Sequence, residues 1–414
     1  MEAPPSVSTI DDAVTPIVAK LEPDLIRLRR DLHRSPELAF DEHETGARVA
    51  EALSSLGLAV RRGVGRTGVL ADLEGASPGS RLLIRADMDA LPIAEATGRE
   101  FASRRPGSMH ACGHDAHTAA AIGAATALVE LRDRLAGSVR FCFQPAEETL
   151  SGARAMIEDG ALDGVDRVLG GHVFVPLPSG TVVNTAGPVL AGADFFELEV
   201  IGRAGHAGML QSTIDPIFAT AQLVSGLQSI VARETGPKEV LVLSITAING
   251  GTAPNIVTDR VTLQGNIRWL SEETRMRALE RIQTVASGVC SALRATCEFR
   301  VTASTPVSVN AKPETDVVEA AIAATGRAAS VHTGYITASD DWARYCDRLP
   351  GTLFLVGAGG PGASGHHSPT FDIDETAIGL MCELFVRTAL VHLAVADPPA
   401  RLTQPAGLRR RPTI

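Results

Sequence analysis

The sequence predicts an α/β protein built on a mostly parallel sheet, interrupted by an inserted ferredoxin-like α+β domain. Three observations carry this reading. Apolar strand-like runs alternate with helical periods through the first half of the chain, as in a parallel sheet with crossover helices. Near Gly187 the texture changes to half-exposed alternating strands in the order strand-helix-strand-strand-helix-strand. The length, 414 residues, is about twice that of a common domain. The expected organisation is residues 1–187 and 304–414 as two parts of one domain, with 188–303 inserted between them.

The elements follow in order. Residues 1–20 read as a loose lead-in. "EPDLIRLRRDLHR" from Glu22 and "HETGARVAEALSSLG" from His43 are amphipathic helices, the second ended by glycine. "GVLADLE" and "RLLIRAD" are strands, and "DAHTAAAIGAATALVELRDRL" from Asp115 is a long Ala-rich helix. "SVRFCFQ" and "DRVLGGHVF" are strands separated by the short helix "SGARAMIEDG". In the insert, "ADFFELEVIG", "EVLVLSITAING", "DRVTLQGNIRWL" and "TCEFRVTAS" alternate as strands, with helices at Ile214 to Glu234 and Glu272 to Leu293. Beyond it come a helix near Val317 to Gly326 and the strand "GTLFLVGAG".

Composition narrows the function. Hydrophobic residues make up 45% and charged residues 21%, enough for sizeable cores. Aromatics are only 4%, so small side chains must do much of the packing. A net charge of -10 argues against nucleic-acid binding, which needs a basic surface, and the short basic tail "LRRRP" does not change that. The apolar runs fall short of the ~20 residues of a membrane helix. The N-terminus has no apolar signal-peptide core. None of the six cysteines forms a C-x-x-C pair, and a chain this long needs no disulfide staples. These points predict a cytoplasmic protein that binds neither nucleic acid nor membrane.

Ligands of open α/β sheets bind beyond the carboxyl ends of the strands. Five polar clusters fall at that edge: Asp87 and Asp89, "HACGHDAH" (His110 to His117), Glu147 and Glu148, His172, and His366 with His367. Taken singly, each has a plainer explanation: a buried thiol, a helix cap at Asp115, a solvated acid pair, a core histidine, a turn. Together they offer the carboxylate, imidazole and thiolate groups that bind Zn²⁺ or Mn²⁺. The Glu147–Glu148 pair can supply both a metal ligand and a general base.

The stretches "LHRSPELAFDEHET", "IRADMDALPIAE", "MHACGHDAHTAAAIGAA", "FQPAEE", "GGHVF", "GRAGHAG", "GGTAPNIVTDRVTLQGNIR" and "HHSPTFDIDE" occur in this order over residues ~32–375. In them the chain resembles the two-metal aminoacylase/carboxypeptidase superfamily. The subgroup most resembled holds hippurate hydrolases, N-acyl-amino-acid amidohydrolases and auxin-conjugate hydrolases.

The resemblance implies a metallopeptidase-type (aminopeptidase-like) catalytic domain with a lid and dimerisation insert. It also implies two divalent ions, Zn or Mn, with Co or Ni as further candidates. Cys112 would bridge the two ions, His114 and Glu148 would complete one set of ligands, and His172 and His367 the other. Glu147 would be the general base and acid. Asp89 would orient the site, Asp87 would stand behind the ligands, and His117 would be either a supporting donor behind the ligands or simply a helix residue. His206 would reach the reacting oxygen, often from a partner subunit, while Asn255 and Arg268 would hold the substrate. Leu210 and Gln211 depart from the Pro-His pair common in the subgroup, which bears on the lid and acyl pocket.

The implied reaction is hydrolysis of an N-acyl-L-amino acid by a homodimer. Dipeptidase or carboxypeptidase action at the same site, or metal and ligand binding without catalysis, are the alternatives.

Overall fold

The computed structural model describes residues 11–331, 333–360 and 362–394; the basic tail lies outside them. Eight strands form one sheet in the order Ala59–Val64, Gly68–Glu74, Ala136–Gln144, Ser77–Asp87, Arg167–Pro178, Gly351–Gly359, Thr181–Val183 and Ala329–Val331. The four central strands, Ala136–Gln144 to Gly351–Gly359, run parallel, and antiparallel pairs flank them. Their interiors are almost wholly buried, as a sheet covered on both faces requires.

The first helix departs from the sequence reading. It spans Asp11–His33 and runs through Pro16 and Pro23. Proline usually opens a helix, so a start near Glu22 is the natural expectation. Val14, Val18, Leu25 and Leu32 instead continue one buried face past the proline.

The Ala-rich helix spans His114–Glu130 and is buried along nearly its whole length. It packs against Asp11–His33 and against Thr376–Ala394. Small residues permit this: a Cβ at Gly123 would come within 2.6 Å of Leu25 and 3.0 Å of the Cys382 sulfur. The helix Thr376–Ala394 has no counterpart in the sequence reading. Its stretch Thr376–Leu393 is long and apolar enough to cross a membrane, contrary to the reading of the apolar runs, but most of it is buried inside the protein.

A second, four-stranded antiparallel sheet has the order Leu241–Gly250, Arg260–Trp269, Gly192–Ile201 and Thr296–Thr305. With the helices Pro216–Ser229 and Glu272–Ala292, its chain order is strand-helix-strand-strand-helix-strand. Both helices start with a side-chain cap. Asp215 accepts from the Ile217 and Phe218 N–H groups ahead of Pro216, and Ser271 accepts from Thr274 N–H. Such caps contribute about 1 kcal/mol each. Phe196, Leu198, Leu223, Leu227, Leu263 and Ile282 lie in a hydrophobic core of their own.

Candidate metal centre

The carboxyl ends of the parallel strands bring the five polar clusters together. The loop after Ser77–Asp87 carries Asp89, and the turn after Ala136–Gln144 carries Glu147 and Glu148. That turn is sharp: Ala146 and Leu150 have φ of 52° and 54°. Left-handed backbone costs about 1–2 kcal/mol at each non-glycine residue, and here it aims the acid pair into the cleft. Gly113, with φ of 94°, leads into the Ala-rich helix. A Cβ there would stand 2.3 Å from a Val173 methyl, so only glycine lets the loop lie against that strand. His367 has φ of 62° and is tied down by its N–H, which donates to Ala111 O at 2.8 Å.

The hydrogen bonds decide which imidazole nitrogens are free. His114 Nδ1 donates to the Asp89 carbonyl at 2.9 Å, leaving Nε2 buried without a hydrogen-bond partner. His172 Nδ1 donates to Val173 O at 2.6 Å, and its Nε2 sits 3.6 Å from Cys112 Sγ. An imidazole held through Nδ1 with Nε2 presented is in the form that ligates a metal.

His117 is different. Its Nδ1 donates to Asp87 at 2.6 Å and its Nε2 accepts from Val173 N–H at 2.9 Å, so no lone pair remains for a metal. It links Asp87 to the His172 strand, which matches the supporting-donor alternative rather than a plain helix residue. His366 accepts from Val175 N–H through Nε2 at 3.3 Å, which directs its Nδ1 hydrogen at Cys112 Sγ, 3.6 Å away. That leaves His367 as the ligand-type member of the pair.

The donor atoms fall into overlapping groups, one of them made of His114, Glu147 and Glu148. Ligand atoms of Cys112, Glu148 and His367 lie within 4.8 Å of one another, as do those of Asp87, His114, His117 and His172. His367 Nε2 is 3.5 Å from one Glu148 oxygen, while His114 Nε2 is 3.9 Å from the other.

Asp115 is another correction. The helix cap is Gly113, and Asp115 binds Arg29 at 2.8 Å and His33 at 2.7 Å.

Electrostatics favour a cation here. Burial, then Asp340, Glu148 and Asp341, push the Glu147 carboxyl well above its usual range. Burial, with further repulsion from Asp89 and Asp87, takes Glu148 up to about 8 although His114 opposes it. Burial and Glu148 likewise raise the Cys112 thiol, and burial followed by His117 keeps His172 well below the usual imidazole value. Bound divalent ions would compensate this crowding of acids. The buried, unpartnered His114 Nε2 and one Glu148 oxygen are placed to meet them. The donor set therefore fits a metal centre.

A cleft of about 440 Å³ opens beside these residues, lined by Cys112, Glu147, Glu148, His172, His366 and His367 together with Arg268 from the second sheet. Arg268 contacts Ser339 Oγ and donates to Asn266 Oδ1 at 3.1 Å. Leu91, Leu150, Phe174, Leu190, Phe195 and Leu355 form apolar walls. His206 and Asn255 do not line the cleft. Both are exposed and sit side by side, His206 paired with Ile256 and Ala207 N–H donating to Asn255 O.

The sequence reading passed over Asn266, Ser339, Asp340 and Arg85. Arg85 carries a signal, as a charge inside the apolar strand "LLIRAD", and Ser339 and Asp340 carry one as part of the polar stretch "TASDDW".

A sheet edge that gathers soft and hard metal donors beside a second glutamate is the working part of a metal-dependent amide hydrolase. The chain belongs to peptidase family M20/M25/M40, whose model matches residues 83–390. It is 39% identical over 370 residues to N-acetylcysteine deacetylase of Bacillus subtilis (89% of this chain, 97% of that protein). It is 38% identical over 370 residues to thermostable carboxypeptidase 1 of Saccharolobus solfataricus (88% of this chain, 94% of that protein). Among solved structures, it is similar to a Bacillus subtilis protein described as a dinuclear metal binding peptidase of the M20 family. There the TM-score is 0.74 and the identity 36%, with 91% of this chain and 99% of that one covered.

Proposed function

We propose that the protein hydrolyses N-acyl-L-amino acids to a carboxylic acid and a free amino acid, using two divalent ions, Zn or Mn. The observation that carries this is the setting of Arg268. Its guanidinium is half-buried at the cleft and bonds only neutral groups, Ser339 and Asn266, with no carboxylate at salt-bridge distance among the described residues. A substrate α-carboxylate supplies the missing anion, and the apolar walls receive the acyl group.

Cys112, His114, Glu148, His172 and His367 would hold the ions, which when bound acidify water and polarise the scissile carbonyl. Glu147 takes a proton from the attacking water and delivers it to the departing amine nitrogen. Asp89 keeps Glu147 and Glu148 in place through their main-chain N–H groups.

His206 and Asn255 act in this reading from a second copy of the chain, as oxyanion donor and substrate contact. Residues 188–303 form the lid and the dimer contact, where Met209, Leu210, Phe218 and Ile256 are exposed. The six free cysteines fit a reducing, cytoplasmic setting. The relative named as a carboxypeptidase supports a second reading, cleavage of a C-terminal residue from a peptide, which uses the same carboxylate contact.

A panel of N-acyl amino acids and dipeptides, run after chelation and again with Zn²⁺ or Mn²⁺ restored, separates these readings. Metal-restored hydrolysis of acyl amino acids is expected. Turnover of dipeptides alone selects the second reading, and no hydrolysis at full metal loading leaves only a binding role.

A further inference from the structure

We propose that Arg85 is a positioning residue for the reaction: one buried guanidinium sets Asp340 and Asp341 against Glu147 and, on its other side, sets Asp87 against His114 and His117. The inference rests on Glu147 being the base.

Arg85 lies on a central strand and is 1% exposed. All of its donor groups are used. Nε donates to Gln144 Oε1 at 2.9 Å. Nη1 donates to Asp87 at 2.6 Å and to Asp340 at 3.1 Å. Nη2 donates to Asp340 at 2.9 Å and to Asp341 at 3.2 Å. This two-pronged grip on Asp340 needs a planar fork, which lysine lacks.

Each partner then passes the constraint towards the chemistry. Asp340 lines the cleft, and carboxylate oxygens of Glu147, Asp340 and Asp341 lie within 4.8 Å of one another. Three buried acids repel at that range unless a cation stands behind them, so Arg85 fixes how closely Asp340 and Asp341 approach the base. On the other side, Asp87 receives the His117 hydrogen bond and lies 3.7 Å from the presented nitrogen of His114. Gln144 closes the ring by donating to Asp341 at 2.8 Å. Burial works against the Arg85 charge, and Asp340, Asp87, Asp341 and Glu147 more than restore it.

A strand residue kept only for packing would affect stability and leave turnover per folded molecule unchanged. The test is Arg85→Lys, with thermal unfolding, bound metal, kcat and KM measured on the metal-saturated protein. A folded, loaded variant with kcat lowered about 100-fold and KM within about threefold is expected, the scale of a catalytic group misplaced by about 1 Å. Zn²⁺ titration of the metal-free variant should show affinity weakened about tenfold, as when a group supporting a ligand is lost. Wild-type kcat in the folded variant overturns the Glu147 arm, and wild-type affinity overturns the Asp87 arm.

If Arg85→Lys fails to fold, Asp340→Asn decides: lowered kcat at unchanged KM supports the role and unchanged kcat overturns it. Glu147→Gln, run in parallel, distinguishes failure of this inference from failure of the base assignment. An active Glu147→Gln variant removes the base whatever Arg85→Lys does.

Discussion

Asp89 accepts a hydrogen bond from the main-chain N–H of Glu147 at 3.0 Å, and its other oxygen accepts from the next N–H, that of Glu148, also at 3.0 Å. One carboxylate thus sets the direction of both acids, while its own main-chain carbonyl holds His114. Asp89→Asn replaces one acceptor with a donor that faces an N–H. A fall in kcat of about 100-fold is expected, with metal still bound. Steady-state kinetics beside metal analysis checks this.

Glu147→Gln keeps the shape of the side chain and removes its ability to carry a proton. The variant should fold, retain its metal and lose activity by about three orders of magnitude or more. Near-normal turnover with full metal would assign the base elsewhere.

Arg268→Met should lower kcat/KM for N-acyl amino acids by about 100-fold, the scale of losing charge-assisted hydrogen bonds. The methyl esters of the same substrates, which lack the charge, should be turned over by variant and wild type at rates within about threefold. Equal losses on acid and ester would remove Arg268 from carboxylate recognition.

His33 makes stability depend on pH. Burial lowers its pKa, but the Asp115 carboxylate and the hydrogen bonds to Asp115 and Glu95 outweigh this and raise it from 6.5 to about 9, with Arg29 opposing. A raised folded-state pKa stabilises fully below the unfolded value, near 6.5, and the contribution is lost as pH rises through about 9. Its size is on the order of 3 kcal/mol. Thermal unfolding of the wild type against His33→Gln should show the difference between them shrink from pH 6 to pH 10. A constant difference would mean that His33 is not charged in the fold.

Metal removal should lower thermal stability as well as activity. The buried acids of the centre lose their counter-charge, and linkage alone contributes about 4 kcal/mol when free metal exceeds Kd about 1,000-fold. Calorimetric scans with chelator, then with Zn²⁺ or Mn²⁺ restored, measure the change.

Much of the site is legible because its residues are carried on short contiguous stretches at strand ends. Cys112, Glu147, Glu148, His172 and His367 line one cleft, and His114 is buried beside Glu147 and Glu148. What escaped depends on contacts distant in sequence. Asp115 looks like a cap from its neighbours alone, whereas its partners Arg29 and His33 come from the first helix. That helix starts earlier than its local sequence suggests, because Pro23 reads as an opening residue while the buried face runs on to Val14. His206 and Asn255 stand outside the cleft of the single chain, a fact that no spacing along it encodes.

By itself, the sequence determined the fold class, the edge of the sheet where chemistry gathers, and the donor types available there. These follow from periodicity and from residue chemistry, which are local properties. The tertiary structure decides which nitrogen His114 and His172 each present, and that Arg85 ties three aspartates together behind the site. Those outcomes are set by hydrogen-bond partners and by distances of a few ångströms between residues far apart in the chain, and only packing creates either.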